Sequence, residues 1–276
     1  MILFPNAKIN IGLQVTARRP DGYHDLDTVF YPIPLCDALE IVARTDGEGD
    51  DCTLHLLGAP LEGDVADNLV VKAVRLLRSE GYTFPPVEIW LTKRIPSGAG
   101  LGGGSSDAAF TLVMLNGMFA LGIDDDRLEV LAARLGADCA VFVRNRPVYA
   151  TGIGNIFTPL PLSLQGYTLV VVKPDVFVST REAFRGITPC QPDVTLESKV
   201  AAPVSEWSGS ITNDFEPSIF ALHPELGAIK EQLYRQGAIY AAMSGSGSAL
   251  YALFSTSHAD VTQQHFPGCF FFKTTL

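Results

Sequence analysis

The stretch "IPSGAGLGGGSSDAA", residues 95–109, sets five glycines and three serines in fifteen positions and then runs into apolar sequence. Ordering glycine costs more backbone entropy than ordering any other residue. A cluster this dense therefore sits where the backbone must approach something closely or adopt conformations closed to other side chains. The run behind it, "AAFTLVMLNGMFALG" (108–122), is broken by Asn116 and Gly117 and reads as a buried helix. The question is what the glycines approach.

Two standard phosphate motifs fail here. The pattern GxxxxGK[ST] is absent, since no Lys follows any of these glycines. GxGxxG is formally present as Gly98, Gly100 and Gly103, but "KRIPS" separates it from its strand and it lies well inside the chain, outside a first βαβ unit. A third geometry fits better. Ser105, Ser106 and Asp107 can cap a helix starting near residue 105, leaving free N–H groups that point back into the loop. Helix amides, loop amides and two hydroxyls then form an anion site, to which Lys93 and Arg94 can add charge. The plainer reading is a glycine turn required only for close strand–helix packing.

With 276 residues, 47% hydrophobic and 18% charged, the chain can build one large or two ordinary packed domains. No apolar run reaches the roughly 18 residues of a membrane span. "MILFPNAKIN" lacks the basic region of a secretory signal and reads as a first strand. Cys36, Cys52, Cys139, Cys190 and Cys269 are scattered without CxxC or paired His spacing, which points to a reducing, cytoplasmic setting rather than disulfides or zinc. A net charge of −10 argues against a nucleic-acid surface, yet still allows a small phosphorylated ligand held by a few local cations.

Apolar patterning predicts strands over 2–15, 27–43, 87–93 and 167–173, two strands flanking 243–248, and a final strand over 269–275. Helices are expected over 68–81, 124–136, 180–186, 224–236 and near 258–265, with a loop over 44–51. The Pro-rich "TPLPLSLQG" suggests a boundary, drawn as 1–158 and 159–276, and the irregular alternation favours α+β in two parts.

Four further places carry chemistry. Lys8 lies inside an apolar strand with Asn10 on the same face; the bland alternative is a lysine snorkelling to water from an edge strand. "RRPDGYHDLDT" (18–28) turns at Pro-Asp-Gly and presents Tyr23 beside His24, suited to a planar base or merely to a tight hairpin. Asp138 follows the Gly136 helix stop and enters an apolar run, with no second acid beside it. One base opposite one cation, Asp138 against Lys8, is what phosphoryl transfer to a hydroxyl would use. "MSGSGS" (243–248), taken alone, is a plain hairpin turn.

In order, "FPNAKINIGL…RRPDGYHDLDTVF", "IPSGAGLGGGSSDAA", "LGADCAVF" and "MSGSGSALYALF" resemble the GHMP kinase superfamily over nearly the whole chain. The resemblance implies two α+β domains with the active site in the cleft between them: an ATP-binding N-terminal domain and a ferredoxin-like C-terminal one. It implies ATP held by Pro96, Ser97, Gly98, Ala99, Gly100, Leu101, Gly102, Gly103, Gly104, Ser105 and Ser106, with Asn68 and Lys93 at the adenosine. Ser105 or Ser106 would stand near Mg2+. Asp138 would be the general base and Lys8 the residue that keeps it charged and neutralises the developing oxyanion. The DGYH segment marks a branch whose substrate is a small alcohol carrying a cytidine diphosphate group. There Tyr23 and Phe184 would sandwich the cytosine, His24 would hydrogen-bond it, and Asn10 would contact the alcohol end. At Asn155 the family usually has an acid, which this chain lacks. No nucleic-acid or membrane partner is expected, and the protein would be a monomer or homodimer. The competing readings are a kinase for a smaller alcohol, a catalytically silent metabolite sensor, and an oxidoreductase.

Overall fold

A computed structural model describes residues 1–44, 51–58, 64–256 and 260–276. In chain order the elements are β1 (Ile2–Leu3), β2 (Asn6–Arg18), β3 (His24–Cys36), β4 (Ala38–Ala43), β5 (Cys52–Gly58), α1 (Leu69–Ser79), β6 (Val87–Lys93), α2 (Gly103–Met118), α3 (Asp125–Ala133) and α4 (Val141–Arg144). They continue with β7 (Val148–Thr151), β8 (Ile156–Pro159), β9 (Tyr167–Lys173), α5 (Thr180–Arg185), α6 (Leu196–Lys199), α7 (Glu216–Leu222), α8 (Pro224–Arg235), β10 (Tyr240–Met243), β11 (Leu250–Ser255) and β12 (Phe270–Thr275). Among the described residues no helix is long and apolar enough to cross a membrane.

The chain divides into two compact units, one of residues 1–7, 35–97 and 102–146, the other of 8–34, 98–101 and 147–276. Both are discontinuous, whereas the sequence reading draws a single cut after residue 158.

The first unit carries the sheet β1-β4-β6-β5, antiparallel except for the parallel β5–β6 pair. Strict alternation buries Val87, Ile89, Leu91 and Lys93 on one face of β6. On the helical side, Asn68 caps α1 by accepting from Val70 N–H at 2.9 Å. Such a cap contributes about 1 kcal/mol, whereas each buried Val or Leu of that helix (Val70, Val71, Val74, Leu76, Leu77) contributes roughly 1.5–3 kcal/mol. Packing, more than the cap, holds α1. α1 and α2 pack on each other and on β5 and β4.

The second unit has two sheets, β2-β3-β7-β8 and the all-antiparallel β10-β11-β9-β12. The latter order is that of a split β-α-β, ferredoxin-like arrangement. Its core joins Val170 and Val172 of β9 to Phe215, Ile219, Leu226 and Leu233, and to Leu13 and Val15 of β2.

Several local expectations shift. The predicted strand over 27–43 breaks at Asp37, whose carboxylate accepts the backbone N–H groups of Arg94 and Ile95. α2 starts at Gly103, two residues early, because Gly102 at φ +71° turns the chain into the helix with no side-chain cap. Near 258–265 the described residues hold only a 3-10 turn, Gln263–His265; residues 257–259 lie outside the described residues, as do 45–50 of the expected 44–51 loop.

Candidate active site

In the second unit Lys8 is buried, not snorkelling. Its Nζ donates to Asn10 Oδ1 at 2.6 Å and to the Gly100 carbonyl at 3.0 Å, and lies 4.9 Å from the centre of the Phe30 ring. The period of a strand puts residues 8 and 10 on one face, so the sequence reading of that pair holds. Asn10 is fixed in turn, with Nδ2 donating to Thr28 Oγ1 at 3.0 Å and its N–H to Ser244 Oγ at 3.2 Å. Ser244 Oγ donates onward to the Gly100 carbonyl at 2.8 Å.

The glycine loop's closest approach is therefore to the protein's own second Gly/Ser turn. A Cβ on Gly100, whose φ is +72°, would sit 1.9 Å from the Ser244 carbonyl oxygen. The Ala249 N–H donates to the Ala99 carbonyl and the Lys8 N–H to the Leu101 carbonyl. Three consecutive carbonyls, 99 to 101, are thus turned into the fold, while among the described residues no amide from Gly98 to Ser105 donates a backbone hydrogen bond. Gly98, Gly100 and Gly102 have positive φ and the residues between them do not, the alternation that aims successive N–H groups at an anion. Ser244 and Asn213, which donates to the Met243 and Gly245 carbonyls at 2.9 and 2.8 Å, went unread in the sequence. The Gly/Ser turn read as a plain hairpin is the frame on which the loop rests.

His24 stacks on Phe184 with ring centres 4.8 Å apart, and Phe184 meets Phe215 edge-on at 4.9 Å. Tyr23 is 62% exposed on a turn closed by the Arg19 N–H to the Tyr23 carbonyl. The imidazole, not the phenol, lies against Phe184. The Asn155 side chain accepts the Ile153 N–H at 3.2 Å, closing its own turn.

In the first unit Asn68, Lys93, Ser97 and Gly104 line one cavity of about 250 Å³, together with Asp64, Asp67 and Asp107. A Cβ on Gly104 would meet nothing within 4 Å, so this glycine faces open space. Lys93 does not supply a spare cation. Its ammonium is held between Asp37 and Asp107 Oδ2, the latter at 2.6 Å, all three side chains being buried. Two acids against one base leave this cluster net negative when all are ionised, which corrects the expectation that Lys93 adds positive charge for phosphates. Asp107 likewise does not cap the helix; its carboxylate turns to Lys93. Burial pushes Asp107 up from 3.8 to about 7, Asp37 adds to the rise, and Lys93 opposes it. Alternation along "VEIWLTK" already puts Lys93 on the buried face, and a buried lysine must find acids; that was the available signal for Asp37 and Asp107.

Ser105 is half-buried, and its hydroxyl lies by the Gly136–Cys139 turn that carries half-buried Asp138. Burial pushes the Cys139 thiol up to about 11 against a hydrogen bond with Ser105. Ser106 is fully buried and its hydroxyl has no partner among the described residues. No cluster of three or more His, Cys, Asp or Glu is placed to hold one among the described residues. Of the two hydroxyls expected near a metal, that of Ser105 is the less buried. Lys8 belongs to the second unit and Asp138 to the first.

The pattern described as the GHMP kinases N terminal domain matches residues 68–146, and that of the GHMP kinases C terminal matches residues 200–268. The chain is similar to the 4-diphosphocytidyl-2-C-methyl-D-erythritol kinases of Bacteroides thetaiotaomicron, 58% identical over 92% of each chain, and of Bacteroides fragilis, 56% identical over 100% of each. A crystal structure of 4-(cytidine 5'-diphospho)-2C-methyl-D-erythritol kinase matches with a TM-score of 0.82 at 34% identity, over 99% of this chain and 98% of that one. Methanococcus jannaschii mevalonate kinase matches at 0.72 and 14% identity, over 100% of this chain and 98% of its own, a likeness of fold alone.

Proposed function

Because the chain belongs to the GHMP kinase family, and within it to the 4-diphosphocytidyl-2-C-methyl-D-erythritol kinases, we propose that it moves the γ-phosphate of ATP to the 2-hydroxyl of 4-diphosphocytidyl-2-C-methyl-D-erythritol, releasing ADP, in the non-mevalonate route to isoprenoids. The observation that carries this is likeness along the whole chain at more than half identity. In that chemistry Asp138 takes the proton of the 2-hydroxyl as its oxygen attacks the γ-phosphorus, and the bond to the β,γ-bridging oxygen breaks. Lys8 neutralises the charge that develops, and Asn10 positions the alcohol. The free amides of Gly98 to Ser105 suit the polyphosphate. The cavity beside Asn68 and Lys93, whose charged groups sum to a negative value, suits the uncharged nucleoside better than phosphates. Tyr23 and Phe184 would flank the cytosine once His24, stacked on Phe184 in this structure, moves to the edge of the base. Mg2+ bound with the nucleotide would offset phosphate charge, with Ser105 the hydroxyl nearest to it. We infer a reducing, cytoplasmic setting from five free thiols, and a monomer or homodimer acting on small molecules only.

The test is ADP release from ATP and magnesium with the cytidine-bearing substrate, wild type beside Asp138→Ala. Turnover that requires that substrate and falls by at least ~100-fold in the variant is expected for loss of a positioned base. Full activity in the variant overturns the assignment of Asp138, and no turnover by the wild type overturns the reaction.

A further inference from the structure

Phe177 is 71% exposed, which alone is ordinary for a single surface hydrophobe. Two observations set it apart. The residues on either side are fixed: the Val176 carbonyl accepts from Ser248 Oγ, and Val178 is buried in the core of the second unit. Ser248 belongs to the same Gly/Ser turn as Ser244, which holds the Gly100 carbonyl. The ring of Phe177 also lies against Gly98, the first positive-φ residue of the glycine loop. A Cβ there would sit 2.8 Å from Cε2 and 3.0 Å from Cδ2 of Phe177.

Carbonyls 99 to 101 are held by hydrogen bonds, but Gly98 is one residue upstream of that clamp. Glycine at φ +59° has a wide choice of other conformations, most of which would turn the neighbouring amides away from a bound anion. A ring seated on it narrows that choice before any ligand arrives, so less conformational freedom is lost on binding.

We propose that Phe177 is a positioning residue for the polyphosphate: its ring braces Gly98 so that the loop amides are preset for the nucleotide. This rests on the kinase reading above, in which the loop holds ATP. Phe177 takes no part in the chemical step, and its exposure means that its removal leaves no cavity.

The experiment compares wild type, Phe177→Ala and Phe177→Leu in steady-state kinetics, with hydrogen exchange of the loop amides in the free protein. In Phe177→Ala the KM for ATP is expected to rise about fivefold, the scale of freeing one backbone residue. In that variant kcat and the KM for the cytidine-bearing substrate stay within about twofold and Tm within ~1 °C, a pattern a general loss of structure would not produce. Amides 98–102 exchange faster in Phe177→Ala, and Phe177→Leu recovers most of both effects. An active wild type with an unchanged ATP KM in Phe177→Ala overturns this role and leaves the kinase reading standing. So does a fall in kcat with no change in KM. A wild type without ATP turnover overturns the kinase reading, and the role with it.

Discussion

Asp107 sits where three requirements collide. It lies in the first turns of α2, its side chain is buried, and it shares Lys93 with Asp37. One of its carboxyl oxygens, Oδ1, is buried with no partner among the described residues, so the ionised form is incompletely satisfied. Its pKa in the folded protein, about 7, stands above the ordinary 3.8, so the native state holds this proton more tightly than the unfolded chain. The stability this group contributes is thus full below about pH 4 and is lost as pH rises towards 7. Asp107→Asn keeps an oxygen for Lys93 and removes the titration. In urea unfolding between pH 4.5 and 8, the variant is expected to gain on wild type as pH rises, by up to about 3 kcal/mol. A difference that stays constant across that range would show that Asp107 is not protonated in the fold. Removing Lys93 is the opposite case, because it leaves two buried acids uncompensated.

At the scale of elements, Gly100 of the loop and Gly104 at the start of α2 do two different jobs. Gly100 faces the Ser244 carbonyl at a φ that side chains avoid, while Gly104 is helical and faces open space in the cavity. Gly100→Ala must displace backbone, and a loss of about 2 kcal/mol or more in unfolding free energy is expected. Gly104→Ala should leave stability unchanged or raise it by about 0.5–1 kcal/mol, the helix preference of Ala over Gly. If that cavity and loop take ATP, the same methyl raises the KM for ATP several-fold by intruding on the ligand. A Gly104→Ala enzyme with wild-type KM would mean that the nucleotide binds elsewhere. Density of glycine was legible in the sequence; the division of labour was not, because only the placement of Ser244, 144 residues beyond Gly100, separates the two cases.

On the scale of the whole molecule, the second unit draws residues 8–34 and 98–101 from before the cut suggested by the Pro-rich stretch. Leu13 and Val15 of β2 are part of its core. A fragment of residues 159–276 should therefore expose apolar surface and fail to unfold cooperatively, as circular dichroism in urea would report; a sharp transition in the isolated fragment would overturn this. Most elements were legible, but β5, β7, β8, α4, α6 and α7 were not. "VEIWLTK", "YTLVVVK" and the helix behind Asn68 have local periodicity and caps that specify them almost residue by residue. Lys8 with Asn10 was readable too, because two residues on one strand share a face wherever the strand ends up. Local order and short-range pairings are thus determined by the sequence alone, since period and capping act over a few residues. Tertiary structure alone decided which acids bury with Lys93, that Ser106 points inward, that His24 and not Tyr23 stacks on Phe184, and that the glycine loop rests on a distant turn. Each of those depends on contacts between segments far apart in the chain, which no local pattern encodes.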